Sequence, residues 1–204
     1  MAKVKFSKTE LKSQRDKLKQ FARFLPTLEL KRQQLQMEVM HLTEAILKHK
    51  KRVQEFREGL DPWMGLFAVP EALEVFDQVE VDDLVMETRN IAGVDIQVFE
   101  EVRFSPLEHD LFSTSPWIDA GIEALQELIR LEIQTRALAA QKSLLENELR
   151  TTTQRVNLFE KVKIPEAKEN IRKIQIFLGD QQTAAVGRSK IAKRKLVHHE
   201  AQEA

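Results

Sequence analysis

Thirteen carboxylates between residues 60 and 115 form the densest group of chemically capable side chains in this chain. Only two Lys/Arg accompany them in that stretch. Asp82-Asp83 and Glu100-Glu101 are adjacent pairs, which lack the alternating spacing that places carboxylate oxygens around calcium in an EF-hand loop. These carboxylates are therefore predicted to form a solvated acidic face, and no metal site is predicted.

Cysteine and histidine offer no catalytic arrangement either. The chain has no Cys, which excludes a thiolate nucleophile, a disulfide and a cysteine zinc site. His41 and His49 are eight residues apart, His109 stands alone, and His198-His199 lie near the C-terminal end. The chain also lacks a phosphate-binding glycine loop, a nucleophile elbow and an H-E-x-x-H motif. The sequence thus predicts no catalytic residue, no cofactor and no metal.

Basic residues concentrate at the two ends of the chain. Residues 1–32 hold ten Lys/Arg against three Asp/Glu, and residues 188–195 form a second basic cluster, although the net charge is zero. No aromatic residue interleaves the second cluster, so nucleic acid is not predicted as a partner. No stretch reaches the eighteen or more uncharged residues that span a bilayer, and the start lacks the apolar run of a signal peptide. We expect a soluble protein without direct membrane insertion.

The first element is predicted to be a helix from Ser7 to about Gly59. Ser7-Lys-Thr-Glu10 reads as a capping box, and apolar residues then repeat over seven heptads, eleven of fourteen seam positions being apolar. Pro26 removes one backbone hydrogen bond, which predicts a bend or short break near Phe24 and Leu25. The fourteen seam positions are Leu11, Gln14, Leu18, Phe21, Leu25, Leu28, Arg32, Leu35, Val39, Leu42, Ile46, His49, Val53 and Phe56.

A second long helix is predicted from Ser115 to about Leu178, with Ser115 as cap and Pro116 in the first helical position. Pro165 is expected to bend it or to shift its bonding, with helix on both sides. The two helices are expected to pair antiparallel, and residues past about Ala167 are expected to project beyond the first helix. Its seam comprises Leu128, Leu131, Leu138, Leu145, Leu149, Val156 and Phe159, interrupted by Thr135, Lys142 and Thr152.

The acidic middle is predicted to be a small head with a β-hairpin. Apolar residues alternate with polar ones around Val79 and again over Val94–Val98, and Asn90–Gly93 supplies turn residues between them. Because an isolated hairpin is marginal in water, we expect it to pack on the helix ends or on another protein. The apolar run Pro62–Val69 is open to two interpretations, a docking patch for a partner or the local core of the head.

The predicted fold class is mainly α, a long antiparallel two-helix coiled coil with a small acidic head that contains a short β-hairpin. The predicted segments are an N-terminal helix (1–59), the head (60–115), a C-terminal helix (116–178) and a basic, partly flexible extension (179–204). Such a chain transmits or scaffolds and has little concave surface for a pocket.

The stretch Arg155-Val-Asn157-Leu-Phe-Glu160-Lys-Val-Lys-Ile164-Pro165 resembles the R-V-N-x-x-E-x-x-x-I-P signature of the D subunit of the V-type and archaeal-type rotary ATPases. Thr9-Glu-Leu11 and Asn90-Ile-Ala-Gly-Val94 also look like that family, so the resemblance covers nearly the whole chain. It departs from the family after the I-P helix, where the family usually carries a Glu/Arg-rich run and this chain has Gly179–Gly187, poorer in charge.

The resemblance implies a non-catalytic central rotor shaft that couples ATP synthesis or hydrolysis to ion transport, cytoplasmic and peripheral to the membrane through its complex. It implies as partners the catalytic and non-catalytic nucleotide-binding subunits, the small F subunit of the central stalk and a socket subunit on the membrane ring. For the nucleotide-binding ring, the expected partner-binding residues are Lys3, Lys5, Lys8, Arg155, Asn157, Lys190, Lys193, Arg194 and Lys195. For the head, they are Trp63, Met64, Leu66 and Phe67.

Two other functions remain compatible with the same elements. A prefoldin-like coiled-coil chaperone has a similar helix-hairpin-helix order, although the R-V-N…I-P stretch and the long C-terminal extension argue against it. A static scaffold is also compatible, because heptad periodicity does not distinguish a shaft that turns from a rod that does not.

Overall fold

The computed structural model describes residues 5–67, 76, 77, 79–106 and 115–200. The chain divides into two compact units, one of residues 31–151 and one that joins residues 1–30 to residues 152–204. In chain order the elements are helix α1 (Lys8–Leu60), a 3-10 turn (Asp61–Trp63), helix α2 (Met64–Phe67), strands β1 (Val81–Ile91) and β2 (Val94–Phe104), helix α3 (Ile118–Leu158), a π-turn (Phe159–Lys163) and helix α4 (Ile164–Glu200).

Helix α1 confirms the predicted heptad seam. Each of its fourteen seam positions is buried or half-buried, and Leu35, Ile46 and Val53 are the most deeply buried apolar ones. Of the bend or short break predicted near Phe24 and Leu25, the break is wrong, because α1 runs unbroken from Lys8 to Leu60, and the bend stays a prediction. Proline costs the helix one hydrogen bond, and the bonds on either side keep the helical path.

Antiparallel pairing of α1 with α3 is visible in the unit of residues 31–151. Lys31 Nζ lies 2.7 Å from a carboxylate oxygen of Glu148, and Arg57 Nη2 lies 2.6 Å from one of Glu132. The α3 partner of Lys31, near the start of this stretch of α1, thus lies later in the chain than Glu132, the partner of Arg57 near the end of α1. This is the arrangement that two long helices joined by a short head require.

The β-hairpin has the predicted turn but longer strands than the short ones expected. β1 and β2 each have eleven residues and pair antiparallel, with irregularities in register near Asp82 and between Val85 and Met86. Ala92 and Gly93 both have positive φ, 51° and 78°, as a two-residue turn of type I′ requires. The side-chain oxygen of Asn90 accepts the Gly93 N–H at 3.0 Å, which fixes the turn.

The hairpin lies along the helix pair, whereas the sequence predicted that it would pack on the helix ends or on another protein. Ile96 of β2, 2% exposed, forms a core with Leu35 and Leu145, which are both 0% exposed. Gln141 donates a 2.8 Å hydrogen bond to the backbone oxygen of Gln97. The apolar face of β2 finds its partner surface on the middle of α1 and α3, because the seam there is apolar on both helices.

A second small core closes the base of the head in the same unit. Ile118 and Ile122 are buried against Phe76, Val79 and Trp117. Helix α3 begins at Ile118, two residues after the predicted first position, because the backbone oxygen of Ser115 accepts the Ile118 N–H and residues 116–117 form a turn.

In the other unit, two aromatic pairs join the beginning of the chain to its later part. The rings of Phe21 and Phe159 have centroids 5.2 Å apart, and those of Phe6 and Phe177 are 5.0 Å apart. Residues past about Ala167 were expected to project beyond α1, and this expectation is wrong, since the start of the chain still meets α4 at Phe177. The shift of bonding expected at Pro165 is confirmed by the π-turn that precedes it.

The chain remains helical to Glu200, through both Gly179 and Gly187. Neither glycine interrupts α4, although each costs the helix about 1 kcal/mol relative to alanine. The segment predicted as a basic, partly flexible extension is therefore part of α4 as far as Glu200, and whether it is flexible stays a prediction.

Candidate partner-binding surfaces

The start of α1 brings two of the predicted basic residues to one end of the unit that joins residues 1–30 to residues 152–204. Ser7 Oγ accepts the Glu10 N–H at 3.2 Å, which is the first half of the predicted capping box. The carboxylate of Glu10 accepts instead from Gln14 at 2.8 Å. Lys5 and Lys8 are exposed at this helix start. Lys3 lies outside the described residues.

The basic cluster near the C-terminal end lies on α4 and is available to solvent. Lys190, Lys193 and Arg194 share one face by their helical spacing, and Lys195 lies on another. All four are exposed, and in the described part of the chain none has a carboxylate within ion-pair distance. Cations that have no partner among these residues are free to meet an anionic surface.

The two basic groups meet at a shallow cavity of about 390 Å³. Lys8 lies at the α1 side of this cavity and Arg188 at the α4 side, with Leu178 and small or amide side chains between them. The beginning and the later part of the chain therefore lie together in this unit. A basic, mostly polar rim of this kind favours contact with a protein surface over tight enclosure of a small molecule.

The signature residues Arg155 and Asn157 lie just before the π-turn. Arg155 is exposed and Asn157 is half-buried, so both can reach a partner. Between them Val156 is fully buried in the seam. The stretch thus alternates a core contact with polar groups that face outward.

The apolar run of the head is only partly described. Trp63 and Leu66 are 39% and 41% exposed, which excludes both from a closed local core of the described residues. Met64 and Phe67 lie in α2. Both side chains lie outside the described part. The docking interpretation of this patch stays a prediction.

An apolar surface on the outer face of α1 was not anticipated. Met37, Met40 and Leu47 are 56%, 62% and 64% exposed. The signal was present in the sequence, because these residues fall outside the seam at heptad positions that are usually polar. Contiguous exposed apolar groups are typical of protein contact sites.

His49 is half-buried and lines a cavity of about 190 Å³ between α1, β2 and α3, together with Gln134 and Gln141. Its Nδ1 is buried and has no hydrogen-bond partner among the described residues. Within the same residues no group of three His, Asp or Glu could hold a metal ion, and no helix is long and apolar enough to cross a membrane.

Comparison with known proteins gives a consistent result over nearly the whole chain. The model of the family described as the ATP synthase D subunit matches residues 10–194. The chain belongs to the ATP synthase D-subunit family. The V-type ATP synthase D subunit of Borreliella burgdorferi is 46% identical over 197 residues, which are 97% of this chain and 96% of that protein.

More distant members of the D-subunit family match over the same length. Those of Chlamydia muridarum and Chlamydia trachomatis serovar L2 are 33% and 32% identical over 199 residues, 97% of this chain and 98% of each relative. The hairpin, the signature stretch Arg155–Pro165 and nearly all of the long helices fall inside the matched residues. The family assignment therefore applies to both units and decides against the prefoldin-like alternative.

Proposed function

We propose that this chain is the non-catalytic central rotor shaft of a V-type ATP synthase. The observation that carries the proposal is the match to the D-subunit family over both units, on a fold of two long antiparallel helices with a hairpin. Such a helix pair resists twisting and bending because each helix supports the other along the seam. As a shaft, it would couple ATP synthesis or hydrolysis in a catalytic ring to ion transport through a membrane ring.

The proposed partners are the two kinds of nucleotide-binding subunit, the small F subunit and a socket subunit on the membrane ring. The exposed cations of α4, with Lys5 and Lys8, would face the nucleotide-binding ring. Attraction between such cations and anionic loops is long-ranged and weakly directional, so it would hold the shaft without locking one angle. Trp63 and Leu66 would face the partners at the head. The chain would thus reside in the cytoplasm and reach the membrane only through the complex.

Coupling requires that the shaft favour different catalytic-site states at different angles. A helix pair has two unlike faces, so each angle would present different side chains to a given ring subunit. This is allosteric coupling when open and closed sites differ in their contact with the shaft.

The composition of the complex tests the proposal first. A tagged copy would be captured from its native cells, the co-purifying subunits identified by mass, and the eluate assayed for ATP hydrolysis. Two large nucleotide-binding subunits in equal number, a small partner and one copy of this chain are expected. A hexamer of small subunits that holds unfolded clients without ATPase activity would refute it.

Rotation separates a shaft from a static stalk. The chain has no cysteine, so Thr88→Cys on the exposed outer part of β1 gives one attachment point for a gold particle. In immobilised complex, ATP should drive unidirectional rotation of that particle. Active complex whose particle stays fixed would show that the chain is a static part of the stator.

The basic end is tested by charge removal. Lys190→Gln, Lys193→Gln and Lys195→Gln together should weaken assembly with the ring, and the deficit should be largest at low ionic strength, where the charges are least screened. Lys48→Gln, Lys50→Gln and Lys51→Gln, in the C-terminal part of α1, form the matched control, with the same loss of charge. Equal assembly of both triple variants at every salt concentration would rule out a special role for the end.

A further inference from the structure

The apolar seam of α3 changes phase by one residue before it continues into α4. In α3 the seam residues alternate by three and four, ending at Thr152, Val156 and Phe159. The same spacing would next select residues 163, 166, 170, 173 and 177. Three of these, at positions 166, 173 and 177, are exposed. Each position one residue later is buried or half-buried, and these residues are Ile164, Ala167, Ile171, Ile174 and Leu178.

The π-turn lies where this phase change occurs. It covers Phe159–Lys163, and the N–H of Ile164 donates to the oxygen of Phe159, five residues back. A π-turn holds about one residue more than an α-turn. It therefore absorbs one residue without turning the later helix by the roughly 100° that an extra α-helical residue adds. As a result Ala167 and Ile174, 3% and 0% exposed, are buried.

Two causes could hold this turn in place. Pro165 lacks an N–H and its ring clashes with the carbonyl four residues earlier, which a π-turn relieves. However, Pro26 lies inside α1, which stays α-helical from Lys8 to Leu60. A proline alone thus does not produce a π-turn in this chain. The shifted seam is the feature that α3 and α4 have around the turn and that α1 lacks.

We propose that the π-turn accommodates the one-residue shift in the apolar seam. Burial of the seam residues on both sides, and not Pro165, keeps the turn in place, and the signature stretch Arg155–Pro165 encodes it. Val156 is the last deeply buried seam residue before the turn, and Ile164 is the first seam residue after it. The correction keeps α4 paired with the start of the chain, where Phe6 meets Phe177. This inference goes beyond the proposed function and holds whether or not the chain rotates.

The absence of native cysteine makes the phase measurable by crosslinking of the full chain. Phe6→Cys with Phe177→Cys reports the pairing of α4 with the start of the chain, and a short bismaleimide joins the two thiols. Lys31→Cys with Glu148→Cys, placed at the 2.7 Å ion pair of the other unit, is the matched control. Each pair is introduced into four backgrounds: the unaltered chain, Pro165→Ala, deletion of Val162, and that deletion with one alanine inserted between Lys168 and Glu169.

Deletion of Val162 removes the extra residue, so α4 should turn by about 100° and the Phe6/Phe177 crosslink should be lost. The inserted alanine restores the phase beyond it, so the crosslink should return. Pro165→Ala should keep the crosslink, and the control pair should crosslink in all four backgrounds. Retention after the deletion, loss in Pro165→Ala, or failure of the insertion to restore it would overturn the proposal. Loss of the control crosslink after the deletion would overturn it too, because the turn would then maintain the whole fold.

Discussion

The two units hold their helices together by different contacts. In residues 31–151, ion pairs join α1 to α3, and the hairpin covers a core of Leu35, Ile96 and Leu145. In residues 5–30 and 152–200, the described ion pairs lie within the π-turn and α4, and aromatic rings join the two parts of the chain. That second region has eighteen Lys/Arg against eight Asp/Glu, so few carboxylates are available to pair across it.

Two helices can therefore pack against each other and still keep charged side chains available for a partner. In residues 5–30 and 152–200, here called the basic region, aromatic and aliphatic contacts rather than ion pairs join the two parts of the chain, so cations stay free for a partner. In residues 31–151, here called the covered region, charged side chains pair with one another and the hairpin packs on the two helices as a third layer. The following predictions test whether each region depends on the contacts assigned to it.

Truncation in the covered core should have the largest effect. Leu145 is 0% exposed and packs in one core with α1 and the hairpin, so Leu145→Ala should lower the free energy of unfolding by about 2–5 kcal/mol. Its neighbour Leu144 is 49% exposed, and Leu144→Ala should change stability by about 0.5 kcal/mol or less. Urea denaturation of both variants provides the measurement. Equal losses of unfolding free energy in the two variants would show that the core of Leu35, Ile96 and Leu145 contributes no more to stability than an exposed position does.

A buried hydroxyl without a hydrogen-bond partner should lower the stability of the basic region. Thr152 is 1% exposed, and its Oγ1 has no hydrogen-bond partner among the described residues. Thr152→Val should therefore raise the free energy of unfolding by about 1 kcal/mol, since it removes an unpaired polar group from the seam. Thr135→Val is the control, because its hydroxyl donates to the Leu131 oxygen at 2.9 Å. A stabilisation of both variants alike in thermal unfolding would contradict this account.

The aromatic pair beside the π-turn should contribute a coupling energy of its own. Phe21 and Phe159 stack at 5.2 Å, so a double-mutant cycle with Phe21→Leu and Phe159→Leu should give a coupling of about 0.5–1.5 kcal/mol. Leucine keeps most of the apolar volume, which separates ring stacking from burial. Strictly additive single effects would mean that the rings pack without a specific interaction.

Much of this fold was predictable from sequence because heptads and turn residues act locally. The seam of α1, including polar Gln14 and His49, and the turn at Asn90–Gly93 follow from spacing and residue type alone. The hairpin's place along the helices was not predictable, since it depends on the fit of Ile96 between Leu35 and Leu145, which are far apart in sequence.

Helix-breaking propensities were a poor guide in α1 and α4. Pro26 and the glycines of α4 carry helix-breaking propensities, yet both helices continue through them. Among the expected partner-binding residues, exposure of Lys190 or Arg155 is a property that charge predicts well. Which of them touches a partner depends on surfaces outside this chain, so the sequence alone cannot decide it.

The ion pair at the edge of the covered region should have the smallest effect and should respond to salt. Lys31 and Glu148 are 28% and 27% exposed, and Gly93 at the hairpin tip lies near the Lys31 ammonium. A double-mutant cycle with Lys31→Met and Glu148→Gln should give up to about 1 kcal/mol at low salt, falling as salt screens the charges. The pair Lys51 and Glu55, 79% and 62% exposed, should give less. If the coupling energy of Lys31 and Glu148 is no larger than that of Lys51 and Glu55, the hairpin does not shield the Lys31–Glu148 ion pair from solvent. The ion pairs of residues 31–151 would then not distinguish this region from the other one.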